Sequence, residues 1–218
     1  MCKLKSMIAL KGHIYIADYD SHSDMLSELK IEDDYLGASK KFVRLELSPA
    51  DGDPFSDIDT WVLKVDQDIK PDWYSDEEYK PLAVEAVKKW AKTHIFVGVC
   101  GLKLNTGTNY YIKDCHDVEI CDSATVKAWG SATVKAWGSA SVKACDSATV
   151  KAWDSATVKA WGSAIVFNST VFCWNKQSSL ILCENATFKD NIGKVIYQSG
   201  DFKLVSVESG KPISEAKA

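Results

Sequence analysis

A chain of 218 residues with 46% hydrophobic side chains is long enough for one large domain or two modest ones, and too apolar to be mainly disordered. Its formal charge of −4 and pI near 5.6 argue against a general nucleic-acid binder, because phosphate binding needs a surplus of Lys and Arg on one face. The imbalance sits in residues 1–106, which carry 14 Lys/Arg against 19 Asp/Glu, and the remainder is close to neutral. No stretch approaches the roughly 18 apolar residues of a membrane span, and the start of the chain lacks a signal-peptide core, so a soluble, cytoplasmic protein without membrane association is expected.

In chain order, residues 7–17 (MIALKGHIYIA) are apolar and β-branched around Gly12, which predicts a strand or a tight hairpin. Ser21 and Asp24 have capping-box spacing, and Met25, Leu26 and Leu29 follow at helical spacing, so a short helix is expected to end near Lys30. Residues 42–47 (FVRLEL) and 61–65 (WVLKV) alternate as strands, with turn chemistry at Asp51-Gly-Asp-Pro54 between them. Ser75 and Glu78 mark a second cap, and Tyr79, Ala83, Ala86, Val87 and Trp90 form one helical stripe. Pro81 fits only a first turn or a restart, which suggests a start later than Ser75. His94-Ile-Phe-Val-Gly-Val99 is expected to close the domain as a buried strand. The order β-α-β-β-α-β is that of a ferredoxin-like sandwich, an α+β fold that hosts many functions.

From Ser123 the chain reads SATVKAWG, SATVKAWG, SASVKACD, SATVKAWD, SATVKAWG and the degenerate SAIVFNST, a period of eight. A helix is excluded by phase, because eight residues turn through about 800° and displace successive copies by roughly 80°. In a strand, positions two, four and six (Ala124, Val126, Ala128 and their equivalents) face inward in every copy, and Ser, Thr, Lys and Trp face outward. Gly or Asp at position eight supplies the corner. One octad cannot bury its Ala-Val-Ala face alone, so coils must stack into a β-solenoid. Two octads per coil, with two sheets face to face, are favoured over three, because small inward residues would underfill a wide triangle. Extending the frame backward through Val118, Asp122 and Asp114 places the start near Tyr110. Beyond Val166, residues 179–183, 194–197 and 202–207 read as strands of irregular final coils and a cap. The expected domains are an α+β head over 1–106, an octapeptide-repeat β-solenoid with its cap over 107–208, and a flexible tail over 209–218.

The run DSATVKAWGSATVKAWG resembles octapeptide-repeat proteins, rich in A-x-V motifs, that bacteriophages and prophages of gut bacteria encode. The upstream SHSDML and VDQDIKPDWY segments are similar to the front domains of such proteins. That resemblance implies a viral or mobile-element origin and no particular activity. A distant similarity to hexapeptide-repeat acyltransferases stops at their six-residue period and catalytic His, since no His follows His116 here.

Asp18, Asp20, His22 and Asp24 form the densest acidic-histidine cluster, which suits a divalent metal or an acid-base pair; the simpler reading is a solvated loop with a helix cap. Asp51, Asp53, Asp57 and Asp59 offer oxygen ligands for calcium but miss the EF-hand spacing. His13, His22, His94 and His116 have no partner at metal or triad spacing, and Cys100 reads as a core thiol rather than a nucleophile. The seven cysteines contain no CxxC pair, so free thiols, no metal, no cofactor and no catalytic group are expected. The outward columns hold Trp129, Trp137, Trp153 and Trp161, with Cys145 in place of a fifth Trp, and Lys127, Lys135, Lys143, Lys151 and Lys159. Such rows can stack on sugars or bases and hold anions, or they can cover the sheet by stacking on each other.

Three functions follow as expectations. The first is a non-enzymatic binding or adaptor protein whose acidic head engages a host macromolecule, such as a defence protein, with the solenoid as scaffold or homodimer surface. The second is a binder of a small anionic, nucleotide-like or sugar ligand through the Trp and Lys columns. The third is a metal-dependent hydrolase centred on His22 and Asp24; Asp20, His22 and Asp24 are also candidate ligand- or partner-binding residues.

Overall fold

The computed structural model describes residues 4–33, 41–154, 156–168, 180–182, 187–189 and 195–198. It divides into two compact units, Met1–Ile95 and Phe96–Ala218.

In the first unit, β1 (Lys5–Leu10) and β2 (His13–Tyr15) form a hairpin in which Leu10 pairs with His13 and the chain reverses through Lys11 and Gly12. Gly12 has a φ of +84°, which a two-residue hairpin turn of this kind requires and glycine adopts without penalty. α1 (His22–Glu28) begins where the capping spacing predicts, and the Ser21 hydroxyl accepts the Asp24 N–H at 3.2 Å. Met25 and Leu26 are then buried against Ile8 and Phe42. β3 (Val43–Ser48) alternates buried and half-buried residues and pairs with β1 on one side and β4 (Val62–Val65) on the other, giving an antiparallel sheet of order β2-β1-β3-β4. α2 (Asp76–His94) starts from the Ser75 cap, whose hydroxyl accepts the Glu78 N–H at 3.2 Å, and buries Tyr79, Ala83, Val84, Val87, Trp90 and Ala91. The helix runs through Pro81 rather than restarting after it. The ring removes one N–H near an exposed helix start, while Asp76, Glu77 and Glu78 in the first turn complement the helix dipole.

The closing strand departs from expectation. The segment expected to close a ferredoxin-like sheet, β5 (Ile95–Val97), does not join the head sheet and is the first rung of a solenoid sheet. The place beside β1 is already taken by β2, because Gly12 turns the chain straight back. The closing strand is also not buried: Val97 is 57% exposed and Val99 37%, and Cys100 is exposed rather than part of a core.

The second unit coils. β5, β7 (Asn109–Lys113), β9 (Thr125–Trp129), β11 (Ser141–Ala144), β13 (Thr157–Ala160) and β15 (Leu180–Leu182) form one sheet. The facing sheet holds β6 (Lys103–Leu104), β8 (Val118–Ile120), β10 (Thr133–Ala136), β12 (Thr149–Ala152), β14 (Ile165–Asn168), β16 (Thr187–Lys189) and β17 (Val195–Gln198). Pairing is parallel and in register, with Val134 on Val150 and Val142 on Val158, so a coil is sixteen residues: two octads, as the small interior requires. Ala124, Val126 and Ala128 and their counterparts are buried in one continuous core, against which Ala152 is partly buried. β17 runs antiparallel to β16 and ends the parallel ladder. The strands expected at 202–207 and the tail at 209–218 lie outside the described residues.

The coiling begins earlier than the octads. Gly98 and Gly101, with φ of +66° and +76°, lie sixteen residues before Asp114 and Asp117, with φ of +52° and +53°. Gly98 N–H bonds to the Lys113 carbonyl and Gly101 N–H to the His116 carbonyl, as one coil bonds to the next.

At one corner the left-handed residues alternate: Gly98, Asp114, Gly130, Asp146, Gly162. The alternation has a steric and a polar cause. The Asp114 carboxylate accepts both the N–H and the hydroxyl of Ser131, at 2.8 and 3.1 Å, and a Cβ added to Gly130 would lie 2.1 Å from it. From the other side Asp146 accepts the Gly130 N–H at 3.0 Å. The opposite corner repeats the pattern, with Asp154 accepting the Gly138 N–H at 3.1 Å. Asp114, Asp146 and Asp154 thus cap corners of neighbouring coils, and Gly130 leaves room for the Asp114 carboxylate.

Gly130→Ala should therefore destabilise the solenoid by about 2 kcal/mol or more, because the left-handed penalty of roughly 1–2 kcal/mol adds to the loss of the Asp114 cap; urea denaturation against Asp146→Gly measures it. The Ser131 N–H, followed by its hydroxyl, holds the Asp114 carboxyl below its ordinary value, and Lys135 does the same for Asp117. A carboxylate depressed by folding stabilises above its unfolded pKa, and that contribution is lost as pH falls through the lower folded value. Acid titration followed by circular dichroism should show the solenoid loosening below about pH 3.8, with less pH dependence in Asp114→Asn.

Candidate functional site

In the solenoid, the position-seven column of one sheet carries Trp137 and Trp153, and that of the other carries Trp129, Cys145 and Trp161 in successive coils. All four tryptophans are half-buried. Trp137 and Trp153 stack with ring centroids 4.9 Å apart and planes at 8°, and Trp129 stacks on Tyr111 at 6.3 Å and 14°. These rings cover the sheet surface by facing each other along the coil axis. The lysine column is partly engaged in the same way. The Lys127 ammonium lies 4.7 Å from the centre of the Tyr111 ring and donates to its hydroxyl at 3.3 Å, while Lys135 pairs with Asp117 and lies 3.8 Å from Glu119. Lys143 and Lys159 are half-buried. Lys151 is exposed and borders a shallow groove of about 540 Å³ with Lys135, His116 and Phe167.

In the head, the structure separates the side chains of the acidic-histidine cluster. Asp20 pairs with the Lys5 ammonium at 2.7 Å. His22 places Nε2 3.0 Å from the Leu45 carbonyl and Nδ1 3.4 Å from Asp66. Asp24 enters the Ser21 cap through its N–H. Among the described residues no group of three or more His, Cys, Asp or Glu is placed to hold a metal ion. Asp51, Asp53 and Asp57 turn their carboxylates onto the N–H groups of Asp53, Phe55 and Asp59, so each shapes its own loop.

Sequence reasoning missed Lys5. Its side chain is fully buried, donates to the Tyr19 carbonyl at 3.0 Å as well as to Asp20, and lies 4.9 Å from the centre of the Trp90 ring, itself stacked on His94 at 4.6 Å. Burial pushes the ammonium below its usual range, and Asp20 and then Asp18 oppose that. The available signal was a lysine at the head of a strand, KSMIAL, that is buried along nearly its whole length.

The charge of the head is concentrated. Between Asp51 and Glu78 the chain carries ten Asp/Glu and only Lys64 and Lys70 as cations. The segment forms the loop after β3, a 3-10 turn at Ile58–Thr60, β4, the loop 66–75 and the start of α2. Lys88 pairs with Asp59 at 2.8 Å and Lys70 with Asp76 at 3.1 Å. Asp57, Asp68, Asp72, Glu77 and Glu78 are exposed, and no ion pair among the described residues holds them. Beside them Asp59, Asp76, Glu77 and Lys80 rim a cleft of about 460 Å³ with Pro81 and Val84 at its wall. Carboxylates around an apolar wall suit the aliphatic stem and charged head of a Lys or Arg.

Among the described residues no helix is long and apolar enough to cross a membrane. Asp20→Ala should destabilise the head by about 3 kcal/mol, because it leaves a buried ammonium without its counter-charge, whereas Asp24→Ala should cost under about 1 kcal/mol. Equilibrium urea unfolding distinguishes the two. No protein-family model, curated protein or solved structure matches this chain.

Proposed function

We propose that this chain is a non-enzymatic binding or adaptor protein whose acidic head engages a basic face of a partner macromolecule, with the solenoid as rigid scaffold or oligomerisation surface. The observation that carries the reading is the run from Asp51 to Glu78, ten carboxylates against two lysines, with five of the carboxylates exposed and outside any ion pair among the described residues. A field of one sign raises the encounter rate with an oppositely charged protein and disfavours acidic competitors. A stacked parallel solenoid supports the scaffold role, since each coil is bonded to its neighbours along both sheets.

The likeness of the octads to phage and prophage repeat proteins supports a host protein as the partner. Host defence enzymes with basic nucleic-acid channels have the right chemistry, and the host cytoplasm is then the setting. The small-ligand alternative would draw on the Trp and Lys columns, where Trp137, Trp153, Lys127 and Lys135 already engage one another or their neighbours.

With the full chain immobilised, a bacterial lysate should yield a partner that is held at low ionic strength and released as salt rises. Replacing Asp57, Asp68 and Asp72 by Asn and Glu77 by Gln together should weaken retention by about tenfold or more, because rim charges act mainly through the screened field. A partner held equally by the neutralised variant, or none at low salt, would remove the reading.

A further inference from the structure

We infer that β4 is a docking edge that takes up a short, basic, extended segment of a protein partner as a fifth strand of the head sheet. The inference rests on the acidic-head reading and names how the partner is held. Among the described residues β4 is the last strand of the order β2-β1-β3-β4. The Asp66 N–H bonds to the Arg44 carbonyl, and the register pairs Glu46 with Lys64 and Ser48 with Val62. In an antiparallel ladder hydrogen-bonded and non-bonded pairs alternate, so Lys64 and Val62 face β3 with their backbone groups, and the N–H and C=O of Leu63 and Val65 point outward. The other edge differs: β2 is three residues long, and its turn is tied to α2 where the Gly12 N–H donates to the Tyr79 hydroxyl at 2.8 Å.

The charges select the occupant. Asp57 and Asp59 lie before β4, and Asp66, Asp68 and Asp72 after it. A second copy of this chain would bring the same carboxylates to the same ends, and the repulsion protects the edge from self-pairing as edge charges commonly do. A segment with Lys or Arg at both ends of a β-branched centre meets carboxylates at each end and backbone groups between. Val62, on β4 itself and 41% exposed, adds apolar contact beside the edge. In strand addition the main-chain bonds supply affinity, and flanking contacts supply specificity.

The test uses the full chain and a short synthetic peptide with paired basic residues at both ends of an alternating Val-Thr centre. A second peptide has the same charge and side chains but N-methylated central amides, which cannot donate. The first peptide should bind at low salt and slow hydrogen exchange at the Leu63 and Val65 amides, and N-methylation should weaken binding by about tenfold or more, the effect of losing one or two backbone bonds. Equal binding of both peptides without protection of Leu63 and Val65 overturns strand addition while leaving the acidic surface as a binding face. If neither peptide binds at low ionic strength, the acidic surface and the inference fall together.

Discussion

The solenoid depends on coils that close in sixteen residues, because only then does every residue lie above its own counterpart. Closure is decided at the corners, where a single residue takes a left-handed backbone conformation and redirects the strand. Glycine adopts that conformation freely and aspartate tolerates it, and their alternation lets the Asp114, Asp146 and Asp154 carboxylates cap neighbouring coils, with Gly130 leaving room where a Cβ would meet Asp114. Once the corner holds, the inward Ala-Val-Ala faces meet in a thin core, and the parallel ladders satisfy the backbone. The outward columns then fall into rows without further specification.

The head is held together differently. It has one four-stranded antiparallel sheet with one helix, α2, supplying a long buried stripe, and its least repetitive feature is a buried lysine among Asp20, the Tyr19 carbonyl and the Trp90 ring. A buried ammonium is costly unless paired and bonded, and here it has both a counter-charge and a carbonyl. Asp20 is therefore committed to Lys5 rather than to His22 or Asp24. The densest run of surface carboxylates lies between Asp51 and Glu78, on loops and a helix start, where solvation is easily kept.

Aromatic and basic columns on a flat sheet invite a reading as a ligand platform, yet a ring in an in-register stack finds its best partner one coil away. At a repeat of about 4.8 Å, the spacing that satisfies the backbone also brings successive indoles within stacking range. Trp137 and Trp153 show the consequence. On the other sheet Cys145 breaks the column, and Trp129 stacks on Tyr111 of the preceding coil.

The octad period, the inward positions, the Gly/Asp corners and both helix caps were legible because they depend on local periodicity and on side chains that bond within three residues of themselves. Two octads per coil could also be argued from the size of Ala and Val. The earlier start of the solenoid was legible only as Gly98 and Gly101 lying one coil before Asp114 and Asp117, a signal that has meaning once a coil is known to be sixteen residues long. What the tertiary structure alone decided was partnership across distance. It showed that β2 rather than β5 lies beside β1, that Lys5 claims Asp20, and that β4 is left at the edge amid the acids. Such choices turn on which segments compete for the same place in space, and a linear pattern carries no record of the competitor.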